Sequence, residues 1–206
     1  YSKQLLQGYG ITLPIYPVSN GVDLNQYSYD SEKIKAYRKY FSLQPEDKVV
    51  LGVGLPFERK GILDFVEVAK MLPEYKFIWF GDVNMMMIPI EVAAAVNNHP
   101  LNVYFPGYVK GPIIQGAYLD ANCFFFPSYE ETEGIVVLEA LASHQNLLIR
   151  DIGAFDPWLK DKVNCYKGHS NEEFAELIQG IVEKKLPSTV EEGYKTAQER
   201  SIPSIG

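Results

Sequence analysis

A chain of 206 residues is long enough for one large domain or two small ones around a buried core, and 47% hydrophobic with 22% charged residues is ordinary for a soluble globular protein. A net charge of −7 argues against a nucleic-acid partner and against a broadly basic membrane-binding face. Two cysteines form no disulfide framework, and no run approaches the roughly 20 apolar residues that span a bilayer. Cys123, in an apolar run, and Cys165, in a later loop, read as small buried thiols, which fits a cytosolic protein. Residues 1–9 carry no secretory apolar region. Without an initiating Met, the chain reads as an excised piece of something longer.

Short apolar runs at 15–18, 49–53, 76–80, 103–105, 123–126 and 147–149 are predicted strands. Most are continuous rather than alternating, as expected when both faces of a sheet are covered. Helical patterns fall between and after them, at about 31–42, 61–71, 89–97, 112–120, 134–143, 171–184 and 188–200. Ser170 with Glu173 forms a capping box for the helix from Asn171. Alternating strands and helices predict an α/β protein with a doubly wound, Rossmann-like parallel sheet that binds its ligand beyond the carboxyl ends of the strands. No internal repeat or low-complexity segment interrupts it. Residues 20–185 read as one domain, after a linker segment at 1–19 and before a C-terminal helix and tail at 186–206.

Pro127-Ser128-Tyr129-Glu130-Glu131-Thr132-Glu133-Gly134 joins the apolar run at 123–126 to the helical pattern that begins at Ile135. Free N–H groups at a helix start, with the positive end of its dipole, bind phosphate, so Gly134, Ile135 and Val136 are candidate backbone donors. Glu131 and Glu139 bracket that anion site with seven residues between them. Carboxylates repel an anion, so hydroxyl groups are their better partners, and a phosphate cradle flanked by hydroxyl acceptors suits a nucleotide-sugar. The plainer alternative is a solvated acidic cap that compensates the dipole.

Gly52-Val53-Gly54-Leu55-Pro56-Phe57-Glu58-Arg59-Lys60-Gly61 ends a strand, turns through glycines and opens a helix with a basic pair at its mouth. Backbone without a side chain at Gly54 allows a phosphate to approach, and Lys60 supplies a point charge, although such a lysine is often only solvated. The loop Phe105-Pro106-Gly107-Tyr108-Val109-Lys110-Gly111 reads by itself as a glycine-rich turn, and Asn20-Gly21-Val22-Asp23 as another. His99, His144 and His169 are scattered, without the spacing of metal ligands or a catalytic triad. Met85-Met86-Met87 reads as adaptable filling, Trp158 as core cover, and Arg150-Asp151 as a structural ion pair. Asp82 and Asn84 follow the 76–80 strand and are assigned no role.

Glu131 to Glu139, with proline and serine before and Ala140-Leu141-Ala142 after, resembles the E-x7-E motif of retaining GT-B glycosyltransferases, family 4. The family pattern Gly-Arg-Leu-x-x-x-Lys-Gly maps its lysine and second glycine onto Lys60 and Gly61, but Leu55 stands where the family usually has arginine, and Arg59 is the candidate substitute. Asn20-Gly21-Val22-Asp23 resembles the start of the family's donor-binding half. The form Glu-Arg-Lys-Gly, with Glu-Glu-Thr-Glu-Gly-Ile-Val-Val-Leu-Glu, resembles bacterial glucosyltransferases that build glycolipids on diacylglycerol.

The resemblance implies the C-terminal half of a GT-B fold, with the acceptor-binding N-terminal domain outside this chain. It implies a UDP-sugar donor, UDP-glucose first, with Glu131 on the hexose hydroxyls and Lys60 and Arg59 on the diphosphate as the catalytic group. Glu139 takes the ribose, Gly134, Ile135 and Val136 the diphosphate, and Tyr108 and Val109 the uracil. It implies no cofactor, no obligatory metal, and an acceptor that is a membrane glycolipid or diacylglycerol reached at the inner face of the cell membrane. A UDP-sugar epimerase of the same architecture and a non-catalytic nucleotide-binding module are the alternatives.

Overall fold

The computed structural model describes residues 7–9, 21–82 and 87–201. Six strands form one sheet: β1 (Val49–Val53), β2 (Lys76–Phe80), β3 (Val103–Gly107), β4 (Cys123–Phe126), β5 (Leu147–Arg150) and β6 (Tyr166–Gly168). Their order is β3-β2-β1-β4-β5-β6, and every pairing is parallel. Around them lie α1 (Ser31–Tyr40), α2 (Ile62–Met71), α3 (Ile90–Asn97), α4 (Pro112–Asp120), α5 (Ile135–Ala142), α6 (Asn171–Val182) and α7 (Val190–Glu199). The predicted doubly wound sheet is therefore present.

The continuous apolar runs are explained by two cores, one on each face. Successive strand residues point to opposite sides. Leu51, Ile78, Phe124 and Ile149 pack with Tyr37 of α1, Tyr118 of α4, Leu138 of α5 and Ala197 of α7. Val50, Phe77, Phe125 and Leu148 pack with Phe65 of α2, Val92 of α3 and Phe174 of α6. Phe125 stacks on Phe65 with 5.8 Å between ring centroids. Full burial of each such ring contributes about 1.5–3 kcal/mol, so the sheet needs few other supports. Cys123 and Cys165 are buried free thiols, as expected from the sequence. No described helix is long and apolar enough to cross a membrane.

Three local readings change. The strand β6 has no apolar run to betray it, because Lys167 sits at its centre between Tyr166 and Gly168. The capping box at α6 is half formed: Ser170 Oγ accepts from Glu173 N at 3.2 Å, but the Glu173 carboxylate accepts from His169 N at 2.8 Å, one residue earlier. Arg150 and Asp151 do not pair. Arg150 Nη2 lies 3.3 Å from Asp64, while Asp151 faces Lys167 Nζ at 3.1 Å and His169 Nε2 at 3.1 Å. The strand proposed at 15–18, Asn20, most of the linker at 1–19, and Asn84, Met85 and Met86 lie outside the described residues.

Candidate nucleotide-sugar site

β1 and β4 are neighbours at the centre of the sheet, where the strand order reverses. A crevice opens there beyond the strand ends, the usual ligand position in doubly wound folds. After β1 the chain passes Gly54 and a 3-10 turn (Glu58–Lys60) before α2, and after β4 it crosses 127–134 before α5. The two loops are stitched together: Tyr129 N donates to Arg59 O at 2.8 Å. Gly61 makes that approach possible. Its φ is 76°, and a Cβ there would stand 2.3 Å from Pro127 O.

This seam places Lys60 against Glu131. The Lys60 ammonium forms an ion pair with Glu131 Oε1, and their side chains are only 16% and 6% exposed. Ser128 Oγ lies 2.9 Å from the same carboxylate oxygen, 3.0 Å from Glu130 O and 3.2 Å from Arg59 O. Its single proton is best given to the charged acceptor, so the carboxylate is held by a cation and a hydroxyl together. The ammonium also lies 5.6 Å from the centroid of the Phe126 ring, which screens it from bulk water.

Gly134 turns the chain into α5 with φ 72° and ψ 65°, and no side chain caps the helix. The first backbone bonds of that turn run from Val137 N and Leu138 N back to Gly134 O, at 2.9 and 3.3 Å. The amides of Ile135 and Val136 precede them, at the end of the helix where a donor has no intrahelical partner. An open cleft of about 520 Å³ lies beside this turn, lined by Arg59, Lys60, Tyr129 and Glu131 and by residues 152–154 after β5. Arg59 is exposed at its mouth, with its guanidinium 5.9 Å from the Phe57 ring.

Glu139 lies in the middle of α5, five residues after Gly134, and Tyr118 OH donates to its Oε2 at 2.8 Å. Burial, reinforced by the Glu139 charge, pushes the Tyr118 phenol well above its ordinary range, and Tyr27 is raised for the same two reasons. Both phenols therefore stay protonated. Sequence reading missed this arrangement and missed Ser128, although Ser128 stands inside the quoted motif.

Three other candidates occupy different positions. The amide of Gly54 is committed to Phe80 O at 2.9 Å and its carbonyl accepts from Trp79 Nε1 at 2.9 Å, so the residue offers a bare surface rather than a free donor. Tyr108 and Val109 follow the edge strand β3, with β2 between it and β1. Tyr108 is 68% exposed with the Lys110 ammonium 5.1 Å from its ring, and Val109 packs partly against the core. The structure does not bring them onto the Lys60–Glu131 pair.

A sequence profile for glycosyl transferases group 1 matches residues 33–200, most of the chain and, but for the first two residues of α1, all of its strands and α-helices described above. The chain belongs to this family. Over its whole length it is 47% identical to a processive diacylglycerol alpha-glucosyltransferase of Acholeplasma laidlawii, of which it spans 62%. It is 31% identical, over 71% of its length and 40% of the relative's, to an alpha-galactosylglucosyldiacylglycerol synthase of Streptococcus pneumoniae. Among solved folds, the group 1 domain overlays 54% of the Anabaena protein HepE, crystallised in complex with UDP-glucose. That overlay covers 91% of this chain, with a TM-score of 0.80 and 18% identity.

Proposed function

We propose that this chain is the donor-binding half of a retaining hexosyltransferase that takes a UDP-sugar, UDP-glucose first, and serves glycolipid synthesis. One observation carries the reading. A shielded Lys60–Glu131 pair joins the loops after β1 and β4 at the sheet's switch point, just before the uncapped start of α5, in a chain whose whole length aligns with 62% of a named diacylglycerol glucosyltransferase. On this reading the donor diphosphate lies at the amides of Ile135 and Val136, with Lys60, and Arg59 from the rim, adding positive charge. Negative charge grows on the diphosphate as the bond to the sugar breaks, so donors fixed there lower the barrier rather than merely tighten binding. Glu131 then has its carboxylate turned to hexose hydroxyls and Glu139 to the ribose. The N–H groups and cations neutralise the diphosphate without an obligatory metal ion. The acceptor, diacylglycerol or a monoglycosyl-diacylglycerol, approaches from an N-terminal domain outside this chain, with the enzyme peripheral at the inner membrane face.

Calorimetric titration with UDP, UDP-glucose and GDP tests the donor reading. Selective uridine binding is expected, unchanged by EDTA. Glu139→Ala should weaken UDP binding by about 1–3 kcal/mol, the cost of losing a shielded hydrogen-bonding carboxylate. Equal affinity of wild type and Glu139→Ala for UDP would refute the role given to that residue.

A further inference from the structure

Glu139 is held by one phenol, Tyr118, and a second, Tyr27, packs on that tyrosine from a distant part of the chain. Tyr118, 2% exposed on α4, donates to its Oε2 at 2.8 Å. Tyr27 ends the 3-10 turn Leu24–Tyr27, whose start is capped by the Asp23 side chain, and its phenol is raised by burial and by the nearby Glu139 charge. The two tyrosine rings meet edge to face, 5.9 Å between centroids and 82° between planes.

Packing alone does not call for this arrangement. The Tyr118 ring is already stacked on Phe124, with centroids 5.6 Å apart and planes at 13°, and a phenylalanine would keep that contact. What the Tyr118 hydroxyl adds is orientation. A carboxylate has room for about four hydrogen bonds, and one neutral donor occupies part of that room without cancelling its charge. A long side chain fixed in this way has already lost its rotamer freedom before any ligand arrives.

We propose that Tyr118 and Tyr27 are positioning residues that fix the Glu139 carboxylate for recognition of the vicinal hydroxyls of the nucleotide ribose. The inference rests on the assignment of Glu139 to the ribose made above. It extends that assignment to two residues outside the E-x7-E stretch, one of them on the segment that leads into α1.

The test compares the affinities of UDP and 2′,3′-dideoxy-UDP for the wild-type chain, Tyr118→Phe, Tyr27→Phe and Glu139→Gln, by calorimetry. Wild type is expected to prefer UDP. Tyr118→Phe should cut that preference about tenfold, the value of one hydrogen bond to a charged group, while leaving the dideoxy ligand's affinity unchanged. Tyr27→Phe should cut it in the same sense. If the tyrosine variants weaken both ligands equally, or keep the full preference while Glu139→Gln loses it, the tyrosines only pack and the inference falls alone. If wild type shows no preference, or Glu139→Gln retains it, the ribose assignment fails and takes the inference with it. Should Tyr118→Phe prove unfolded by its thermal midpoint, the half-buried Tyr27→Phe decides by the same comparison.

Discussion

The two glutamates of the motif, one before α5 and one within it, are held by opposite chemistries. Glu131 meets a cation, Lys60, with Ser128 as a second donor. Glu139 meets a neutral phenol, that of Tyr118. The first pair is close to neutral as a unit, so on the proposed donor reading an incoming diphosphate would find an ammonium that can be shared and a carboxylate whose repulsion is already offset. The second carboxylate accepts from a neutral donor and keeps part of its accepting capacity, which suits hydroxyl groups. The first turn of α5 thus separates a cation-paired carboxylate from one held by a phenol.

Removing the cation is the strongest way to break this contrast. Lys60→Ala is expected to lower kcat/KM for hexosyl transfer by roughly 10²-fold, as loss of one fixed donor to a developing charge does elsewhere. A steady-state assay of the transferase that carries this domain checks it. The same change strands Glu131, whose side chain is 6% exposed, and should cost about 3 kcal/mol in a denaturant titration. Lys60→Ala with Glu131→Gln should recover much of that loss, because no uncompensated charge is left. A double variant as unstable as the single one would mean that the pair contributes by packing.

Next in size are the two glycine turns that set the ends apart. Gly61→Ala should destabilise by about 3 kcal/mol, since the left-handed backbone is strained and the new methyl meets a backbone carbonyl at 2.3 Å. Gly134→Ala should cost about half as much, at roughly 1–2 kcal/mol, because its nearest obstacle is the Phe155 ring at 3.1 Å, which can give way. Chemical denaturation of both variants orders them, and the reverse order would mean that the β4 loop yields more readily than Phe155.

The smallest effect comes from an exposed counterpart of the shielded pair. His169 is raised above its usual value by hydrogen bonds to Glu173 and Asp151, while Asp151 is lowered by Lys167 and His169. The histidine contribution is complete below the unfolded value near 6.5 and is lost as pH rises through the folded value. The Asp151 contribution is present above the usual carboxylate range and is lost as pH falls through its depressed folded value. Between pH 6 and 8 the thermal midpoint should fall slightly in wild type, and by less in His169→Gln. Equal slopes in the two proteins would remove the histidine from the account.

The sheet and its helices were legible because both sides of each central strand are buried, which writes a continuous apolar run into the sequence. β6 was not, since a three-residue strand with Lys167 at its middle has no such signature. The motif residues were legible as a set, but not the contacts among them. Lys60 and Glu131 stand 71 positions apart, and Tyr118 and Glu139 stand 21 apart on different helices. Neither periodicity nor spacing reports a pairing made only when β1 and β4 come together. Arg150 and Asp151 show the converse error. Adjacent residues in extended chain point opposite ways, so proximity in sequence kept them apart in space.

The way the chain enters this body has a mechanical consequence. Val22 N donates to Arg200 O at 3.2 Å, and Val22 forms a parallel bridge with Ser201. The end of α7 is thereby tied to the segment that carries Tyr27, and α7 lies on α5 closely enough that a methyl at Gly193 would stand 2.8 Å from Leu141. A pull on the segment that begins at Gly21 is thus delivered along two routes to the same helix, through Tyr27 and Tyr118 to its carboxylate and through α7 to its back. The helix at the centre of the proposed chemistry is also the one wired to feel strain in the incoming chain.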